Sequence, residues 1–229
     1  MNKISTVSDK MKKHKNIRIT KTCKDRMYVQ IIKGSNKTVA IPYYLSTDLA
    51  YLVAATICDG HIRPDKFTII FENSDKNVMT KFIQKMSNVF EIKPMYRTVN
   101  DKRYGRKLRY RTEITSKPIT ILLHEVFDVP RGKKSGIVKV PGVIKNSDRT
   151  IKWAFIEGVF DTDGGKRQKC FGLSSASKIF RDDMVKMLSE FGFSPRMDEW
   201  VNKKYDKKYY GLSFKNLHGN TQVAKLANI

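Results

Sequence analysis

Cysteine and histidine are scarce in this 229-residue sequence, and their positions exclude several kinds of site. The cysteines, Cys23, Cys58 and Cys170, are odd in number and far apart, which fits reduced thiols better than a disulfide framework. The four histidines are equally scattered. Neither a zinc finger nor a histidine-rich nuclease site can be assembled from residues at these spacings.

Long apolar segments are absent as well. No run approaches the roughly 18 apolar residues that a membrane-spanning helix requires. Residues 1–15 are polar and basic and lack the apolar core of a secretory signal. We therefore expect an intracellular protein, in the cytoplasm or an organelle matrix, that has no membrane partner.

Acidic residues are few relative to basic ones. The 45 lysines and arginines face 22 aspartates and glutamates, which gives a formal net charge of +23. Self-repulsion of this size opposes a compact state unless a polyanion offsets it, so the charge indicates a nucleic-acid partner. The alternative is a basic surface that is merely solvated, and the size and even spread of the charge argue against it.

Two parts of the sequence repeat. Residues 85–94 recur as residues 186–195, an offset of 101, and both end on proline. Upstream, residues 49–60 and 153–164 are apolar runs with small residues that close on Asp-Gly, and Asp163 follows Asp59 by 104 residues. The first copy therefore carries three extra residues between its Asp-Gly and its next helix, which indicates a longer hairpin within the same repeat.

Hydrophobic periodicity predicts one order of elements in both copies. The apolar run is a helix, for which Ser46 or Asp48 is the expected N-cap, and strict alternation after it predicts a strand. The first copy then continues with a helix capped at residues 74–75 that runs through residue 90, two strands joined by residues 100–107, and a helix from Pro118 to residue 127. The second copy places its strand, helix, hairpin and last strand at residues 169–173, 177–191, 203–208 and 209–214.

This pattern predicts an α+β protein of two pseudo-symmetric αββαββα repeats. The predicted units are a basic N-terminal extension (1–44), the first repeat (45–130), a linker rich in glycine and proline (131–150) and the second repeat (151–229). Within the extension, alternation over residues 17–41 with a polar turn at residues 33–36 predicts a hairpin.

Residues 156–164 (IEGVFDTDG) resemble the LAGLIDADG signature, and residues 52–60 (LVAATICDG) are a looser copy of it. In the looser copy Ala54 replaces the first glycine and Ile57 the first aspartate, whereas the second acid is present. Ala54, Ala55 and Gly158 are small enough to let two helices pack closely, so we expect them at a helix–helix interface. The alternative is that each Asp-Gly only ends a helix, because glycine is preferred there.

The resemblance to the LAGLIDADG family implies a monomeric homing endonuclease that needs no obligate protein partner. It implies that each sheet forms part of a DNA-binding saddle and that double-stranded DNA is cut across the minor groove. The better fit is a free-standing or intron-encoded enzyme, since the ends of the sequence carry no residues typical of intein splicing. An RNA maturase or a cleavage-inactive nucleic-acid-binding protein of the same fold is the alternative function, and a basic structural protein is a more distant one.

The family pattern also implies the residues of the active site. Asp59 and Asp163 are expected to bind about two or three Mg²⁺ or Mn²⁺ ions together with DNA, since hard divalent cations prefer oxygen ligands and can stabilise phosphodiester hydrolysis. The backbone carbonyls of Cys58 and Thr162 are expected as further ligands. Lys166 is the candidate catalytic lysine, with a phosphate-positioning role as its alternative. Glu72, Asn73 and Ser175 are expected at strand ends near the pocket.

Basic residues on strands and in hairpins are the candidate DNA contacts. Charged and other residues alternate over positions 107–112, as a sheet with one DNA-facing side requires. The same hairpin is basic in both repeats, although charge runs are often only solvated surface. The candidates are Arg63, Arg97, Lys102, Arg103, Arg106, Lys107, Arg109, Arg111, Lys169, Lys203, Lys204, Lys207 and Lys208.

Overall fold

Three antiparallel sheets, each packed against helices, make up this computed structural model. It describes residues 3–4, 7–32, 37–100, 108–167, 170–204 and 206–215. Among these residues, no helix is long and apolar enough to cross a membrane.

The N-terminal part of the chain forms the first sheet. Its elements are α1 (Val7–Lys13), β1 (Ile17–Thr22), β2 (Arg26–Ile31) and β3 (Val39–Pro42), with the strands in the order β1-β2-β3. The predicted turn at residues 33–36 lies outside the described residues, and the strands on either side of it pair antiparallel. The turn between β1 and β2, closed by a hydrogen bond from Cys23 N–H to the Arg26 carbonyl (2.8 Å), was not predicted.

The first repeat has the predicted order αββαββα. Its elements are α2 (Thr47–Cys58), β4 (Gly60–Ile62), β5 (Thr68–Asn73), α3 (Lys76–Phe90), β6 (Tyr96–Asn100), β7 (Leu108–Thr115) and α4 (Lys117–Ile121). The sheet order is β4-β5-β7-β6. A π-helical turn (Leu122–Val126) continues α4 where the sequence predicted one regular helix.

The second repeat has the same topology after the short linker helix α5 (Gly142–Lys145). Its elements are α6 (Arg149–Asp163), β8 (Gly165–Arg167), β9 (Cys170–Ser175), α7 (Lys178–Ser189), β10 (Arg196–Asn202) and β11 (Lys207–Lys215). The sheet order is β8-β9-β11-β10, which corresponds strand for strand to β4-β5-β7-β6 of the first repeat. The final predicted helix falls on residues 216–229, outside the described residues.

Local signals explain where the main helices begin. Ser46, Asp75, Asp148 and Ser177 each accept a hydrogen bond from a backbone N–H in the first turn that follows. An N-cap of this kind satisfies a donor that the helix itself leaves unpaired. Of the two caps expected for α2, Ser46 and not Asp48 is the N-cap, and the starts expected for α3 and α7 are accurate to within one residue.

Helices α2 and α6 pack against each other at the centre of the molecule. Gly158 shows how close they come, because a Cβ added there would lie 2.8 Å from the Ala54 Cβ and 2.8 Å from the Tyr51 carbonyl oxygen. Ala54 and Ala55 are fully buried. The small residues therefore fix the distance between the helices, and with it the distance between the residues at which the helices end.

One continuous core joins all three sheets. It runs from Ile4 and Met27 in the N-terminal part, through Phe71 and Phe82 of the first repeat, to Phe214 in the second. The N-terminal sheet is thus packed into the first repeat through buried side chains and does not lie loosely on its surface.

Candidate active site

Asp59 and Asp163 stand at the paired ends of α2 and α6. Asp59 is the residue after α2, and its backbone N–H donates to the Ala55 carbonyl. Asp163 is the last residue of α6. The two carboxyl groups are close enough that the charge of Asp163 raises the pKa of Asp59. The structure thus brings together the two acids that the repeat predicted.

Asp59 is held by the adjacent strand. The Nδ2 of Asn73, a buried residue at the end of β5, donates to Asp59 Oδ2 (2.7 Å). The Oδ1 of Asn73 accepts from the backbone N–H of Asp75 (2.6 Å), which fixes the orientation of the amide. Burial, and next the charge of Asp163, raise the pKa of Asp59 to about 7. Without a cation, this carboxyl group therefore keeps its proton to a higher pH than an ordinary aspartate does.

Asp163 is exposed as a residue, yet the protein crowded around its carboxyl group raises its pKa by desolvation. The Cys58 thiol hydrogen-bonds to this carboxylate and counteracts part of that rise. Burial raises the pKa of the Cys58 thiol, so the group is a protonated donor and not a thiolate. The Cys58 side chain therefore links the end of α2 to Asp163, the acid at the end of α6; α2 and α6 are called the motif helices below.

Lys134, in the linker, is a site residue that the sequence prediction missed. Its Nζ donates to three carbonyl oxygens at the end of α2, those of Thr56 (2.8 Å), Ile57 and Cys58 (2.8 Å). A cation is stabilised at a helix C-terminus by the unpaired carbonyls and the helix dipole. Burial lowers the pKa of Lys134, whereas the nearby thiol and the two acids oppose that shift. The structure therefore places an ammonium group beside both acids.

The space around Asp59, Asp163 and Lys134 is called the cleft below. A cavity of about 180 Å³ opens on its Asp163 side. Lys134 and Asp163 line it together with Ser175 and Lys207. The Nζ of Lys207 donates to the Ser135 hydroxyl (2.7 Å), so this residue lies against the linker as well as on β11. Of the lysines predicted to contact DNA, Lys207 is thus one that lines the same cavity as an acid of the site.

Lys166 occupies a different position from Lys134. It pairs with Phe171 across β8 and β9, and it is exposed. Residues that face each other across a ladder share one side of the sheet, and Phe171 is buried on the side that the helices cover. The catalytic role of Lys166 stays a prediction.

The donors at the cleft fit a hard divalent cation. Two carboxylates and the carbonyls at the helix ends supply oxygen, and both acids have raised pKa values that a nearby cation would lower. Among the described residues, no three histidine, cysteine, aspartate or glutamate side chains are grouped so that they could hold a metal ion. The remaining ligands would therefore come from carbonyls, water and a bound phosphate.

A second polar cluster joins the motif helices on the side of α3. The Tyr51 hydroxyl donates to Asp161 Oδ2 (2.8 Å), and Lys81 Nζ donates to the same oxygen (3.0 Å) and to Glu157. The Asp161 side chain is only 2% exposed. Asp161, the first acid of the signature, therefore connects α6 to α2 and α3 through these hydrogen bonds and stabilises their packing.

The sheets turn one face towards the helices and leave the other free of them. In β7, Thr112 and Ile114 are buried under the helices, so Arg109 and Arg111 lie on the helix-free face, as the alternation predicted. Arg111 contacts Glu72 and Glu113 (both 2.9 Å).

The other candidate contacts are distributed around the surface. Arg97 pairs with Glu113, Arg63 with Asp65 and Lys208 with Glu199 (2.8 Å), while Lys203 and Lys204 are exposed in the β10–β11 turn. Lys102, Arg103, Arg106, Lys107 and Lys169 lie outside the described residues. The role of all these residues in binding DNA stays a prediction.

Comparison of the sequence with known families and proteins gives three matches. Residues 150–225 match the model of the LAGLIDADG-like domain. The replication factor C small subunit of Methanocaldococcus jannaschii is 29% identical over 169 residues, which is 74% of this chain and 9% of that protein. The probable translation initiation factor IF-2 of the same organism is 28% identical over 221 residues, 93% of this chain and 17% of that protein. The chain thus spans only a small part of the curated relatives that it matches.

Solved structures share the fold at low sequence identity. Mesophilic variants of the homing endonuclease I-DmoI superpose with a TM-score of 0.54 and 14% identity over 80% of this chain and 94% of theirs. I-DmoI in complex with DNA and Mn gives 0.52 and 14% over 73% and 90%. The N-terminal LAGLIDADG domain of DUF199/WhiA gives 0.52 and 10% over 80% and 83%.

Proposed function

We propose that this chain, whose residues 150–225 match the LAGLIDADG-like domain and whose fold is that of the homing endonuclease I-DmoI, is a site-specific DNA endonuclease. The observation that carries the proposal is the convergence of Asp59 and Asp163 at the paired ends of two buried helices. Two crowded acids with raised pKa values are not needed to hold the fold together. Metal-dependent phosphodiester hydrolysis, in contrast, requires carboxylates that hold cations.

The residues of the cleft would divide the work as follows. Asp59 and Asp163 bind about two or three Mg²⁺ or Mn²⁺ ions, with the Cys58 and Thr162 carbonyls as further ligands, and these ions supply stabilisation of the attacking and leaving oxygens. Asn73 orients the Asp59 carboxylate. The Lys134 ammonium group supplies positive charge beside the phosphate that is cut.

The finer points of the proposal concern the substrate and the assembly. The net charge of +23 and the helix-free faces support binding of double-stranded DNA, and the two equivalent sheets support a long, pseudo-palindromic site with one half for each repeat. I-DmoI, which has the same fold, is described in complex with DNA and Mn. We propose that the chain acts as a monomer, because it contains both repeats, and that intron homing is its biological role.

Cleavage activity is the part of the proposal that needs a direct test. The fold is shared by an endonuclease and by the WhiA domain, so fold alone does not decide between cleavage and binding. Sites would be selected from a randomised or genomic duplex library by cleavage in Mg²⁺, which avoids assuming a target. Asp59→Asn and Asp163→Asn are each expected to abolish cleavage while they retain DNA binding.

Asp65→Asn is the matched control, because Asp65 is an exposed acid that pairs with Arg63 outside the cleft. Wild-type activity in either cleft variant would contradict the two-acid site. Selective binding of RNA without cleavage of any DNA would favour the alternative function of a maturase.

A further inference from the structure

The helix-free faces of the two repeat sheets can be compared position by position. Asn73 and Ser175 are equivalent, because each ends the second strand of its repeat and accepts a hydrogen bond from the backbone N–H two residues later. Tyr110 pairs with Asn73 across β5 and β7, and Tyr210 pairs with Ser175 across β9 and β11. Positions in β7 and β11 therefore correspond at an offset of 100.

The first sheet carries a chain of alternating charges on its helix-free face. Arg111 contacts Glu72 and Glu113, both at 2.9 Å. Arg109 lies 4.0 Å from Glu72, and Arg97 lies 3.2 Å from Glu113. Two carboxylates thus hold three guanidinium groups in place. These side chains come from the interior strand β7 and from its neighbours β5 and β6. Side chains that are already held in place lose less conformational entropy when they bind a ligand.

The second sheet carries aromatic and small residues at the corresponding positions. Tyr209 and Gly211 stand where the first sheet has Arg109 and Arg111. The ring of Trp200 stacks on that of Tyr209, with centroids 6.0 Å apart and planes 16° from parallel. A Cβ on Gly211 would lie 2.0 Å from Asp198 Oδ1 and 2.9 Å from the Trp200 ring, so the Asp198 carboxylate and the indole both lie over the interior strand at this glycine. The middle of this face is therefore an aromatic pair, with Lys207 over the Tyr209 ring at one end and Asp198 at the other, and its described residues form no row of guanidinium groups.

The two faces suit different base pairs. A guanidinium group can donate two hydrogen bonds to O6 and N7 of guanine, and a carboxylate can accept from the amino group of cytosine, so alternating arginine and glutamate suits G·C pairs. An aromatic surface makes apolar contact, and the apolar group that the major groove displays is the methyl of thymine.

We propose that the chain reads an asymmetric DNA target by two chemistries, guanine through the arginines of the first sheet and thymine through the Trp200–Tyr209 stack of the second. This inference rests on the proposed binding of double-stranded DNA. It goes further and amends the pseudo-palindromic site, because the two halves would then differ in base composition at the positions that these residues select.

The test is a selection of bound sequences from a randomised duplex library in Ca²⁺, with the wild type, Arg109→Ala and Trp200→Ala. The wild type should select sites with guanine enriched in one half and A·T pairs in the other. Arg109→Ala should reduce the preference for guanine about tenfold at one or two positions of the first half only. Trp200→Ala should reduce the thymine preference in the other half only.

Trp200→Leu serves as a second variant in case removal of the indole unfolds the sheet, because leucine fills much of the space and should also relax the thymine half. Lys178→Ala is the matched control, since Lys178 is exposed on helix α7 and pairs there with Asp182, and it should select the wild-type sites. Halves of equal composition, or loss of preference in the same half for both face variants, would overturn the inference.

Failure of the proposed endonuclease gives a different result. If the selected DNA has the predicted asymmetric composition but is not cut in Mg²⁺, the endonuclease proposal fails and the base-reading inference stands. If the DNA is cut but its halves are alike, the inference alone fails. Absence of any sequence-selective DNA binding overturns both.

Discussion

Lys134 couples the linker to the end of the first motif helix. A neutral side chain at this position would leave the Thr56, Ile57 and Cys58 carbonyls without their donor and would remove the cation beside both acids. We expect Lys134→Met to lower the free energy of unfolding by about 1–2 kcal/mol, because buried carbonyls that lose a charged donor are costly. Chemical denaturation without metal measures this effect.

Lys133→Met is the control for that experiment, since Lys133 is the adjacent residue and is exposed. Its unfolding curve should superpose on that of the wild type. If the two variants unfold at the same denaturant concentration, the carbonyl contacts of Lys134 contribute nothing to stability.

Asp59 should make the metal-free protein less stable as the pH rises. Its pKa is about 7 in the folded chain, against an ordinary value of 3.8. Because the folded-state pKa is the higher one, the contribution of the protonated group is fully present below about pH 4 and is lost as the pH rises through 7. The wild type should lose roughly 2 kcal/mol over this window relative to Asp59→Asn, allowing for solvent screening.

Thermal unfolding of both proteins from pH 4 to pH 8 gives that difference directly. Mg²⁺ should reduce the loss at high pH, since a bound cation stabilises the ionised carboxylate. A difference between the two proteins that is independent of pH would contradict the raised pKa of Asp59.

The two acids could be found from sequence because each ends a repeated local pattern. Lys134 could not be found in that way, since it lies 76 residues from Cys58 along the chain and only tertiary packing brings them together. Asn73 was expected near the pocket, but its orientation depends on its contact with Asp75. The positions of these side chains at helix and strand ends follow from local pattern, whereas the contacts that adjust their charge depend on tertiary packing.

At the scale of elements, the best predictions rest on local chemistry. Helix α3 was expected from a cap at residue 74 or 75 to residue 90, and it begins after Asp75 and ends at Phe90. The β1–β2 hairpin was missed because its turn, residues 23–25, contains Asp25 but no glycine, proline or asparagine, and a single aspartate is a weak turn signal. The π-helical turn after α4 was missed as well, because hydrophobic periodicity over so few residues does not distinguish it from an α-helical turn.

Gly158, the one glycine within α2 and α6, should tolerate substitution poorly. The atoms that a new Cβ would meet are the Tyr51 backbone and the Ala54 Cβ, none of which can move unless α2 and α6 separate. We expect Gly158→Ala to lower the free energy of unfolding by about 3 kcal/mol, as overpacking of a close helix contact does. Equilibrium denaturation monitored by circular dichroism measures it.

Gly136 offers a matched substitution, because a Cβ there would meet nothing within 4 Å. Gly136→Ala should change stability by only a few tenths of a kcal/mol. Equal effects of the two substitutions would show that α2 and α6 are not in close contact in solution.

At the scale of the whole molecule, the N-terminal sheet is part of the folding unit of the first repeat. Met27, Val29 and Ile41 pack into the shared core, and 0% of their surface is accessible to solvent. Its sequence showed charge and alternation, and neither revealed that α1 and the strands cover α3 and α4. The boundary of the extension at residue 44 stays a prediction, and its packing on the repeat depends on long-range contacts that alternation does not encode.

The charge of the whole chain predicts how DNA binding responds to salt. With a net charge of +23, we expect log K to fall steeply with log salt, because each phosphate that is neutralised contributes a slope of about −0.9. Basic residues should contribute unequally. Arg111 is already paired with Glu72 and Glu113, so it brings little uncompensated charge to a phosphate, whereas Lys203 is exposed in the β10–β11 turn.

Lys203→Ala should therefore make the slope shallower by about one unit and weaken binding to all sequences alike. Arg111→Ala should leave the slope nearly unchanged and weaken binding mainly to the selected site. Titrations by fluorescence anisotropy at several salt concentrations, with selected and random duplexes, separate the two effects. A slope near zero for the wild type would mean that the excess charge serves some purpose other than binding a polyanion, and it would remove the physical basis for the DNA partner.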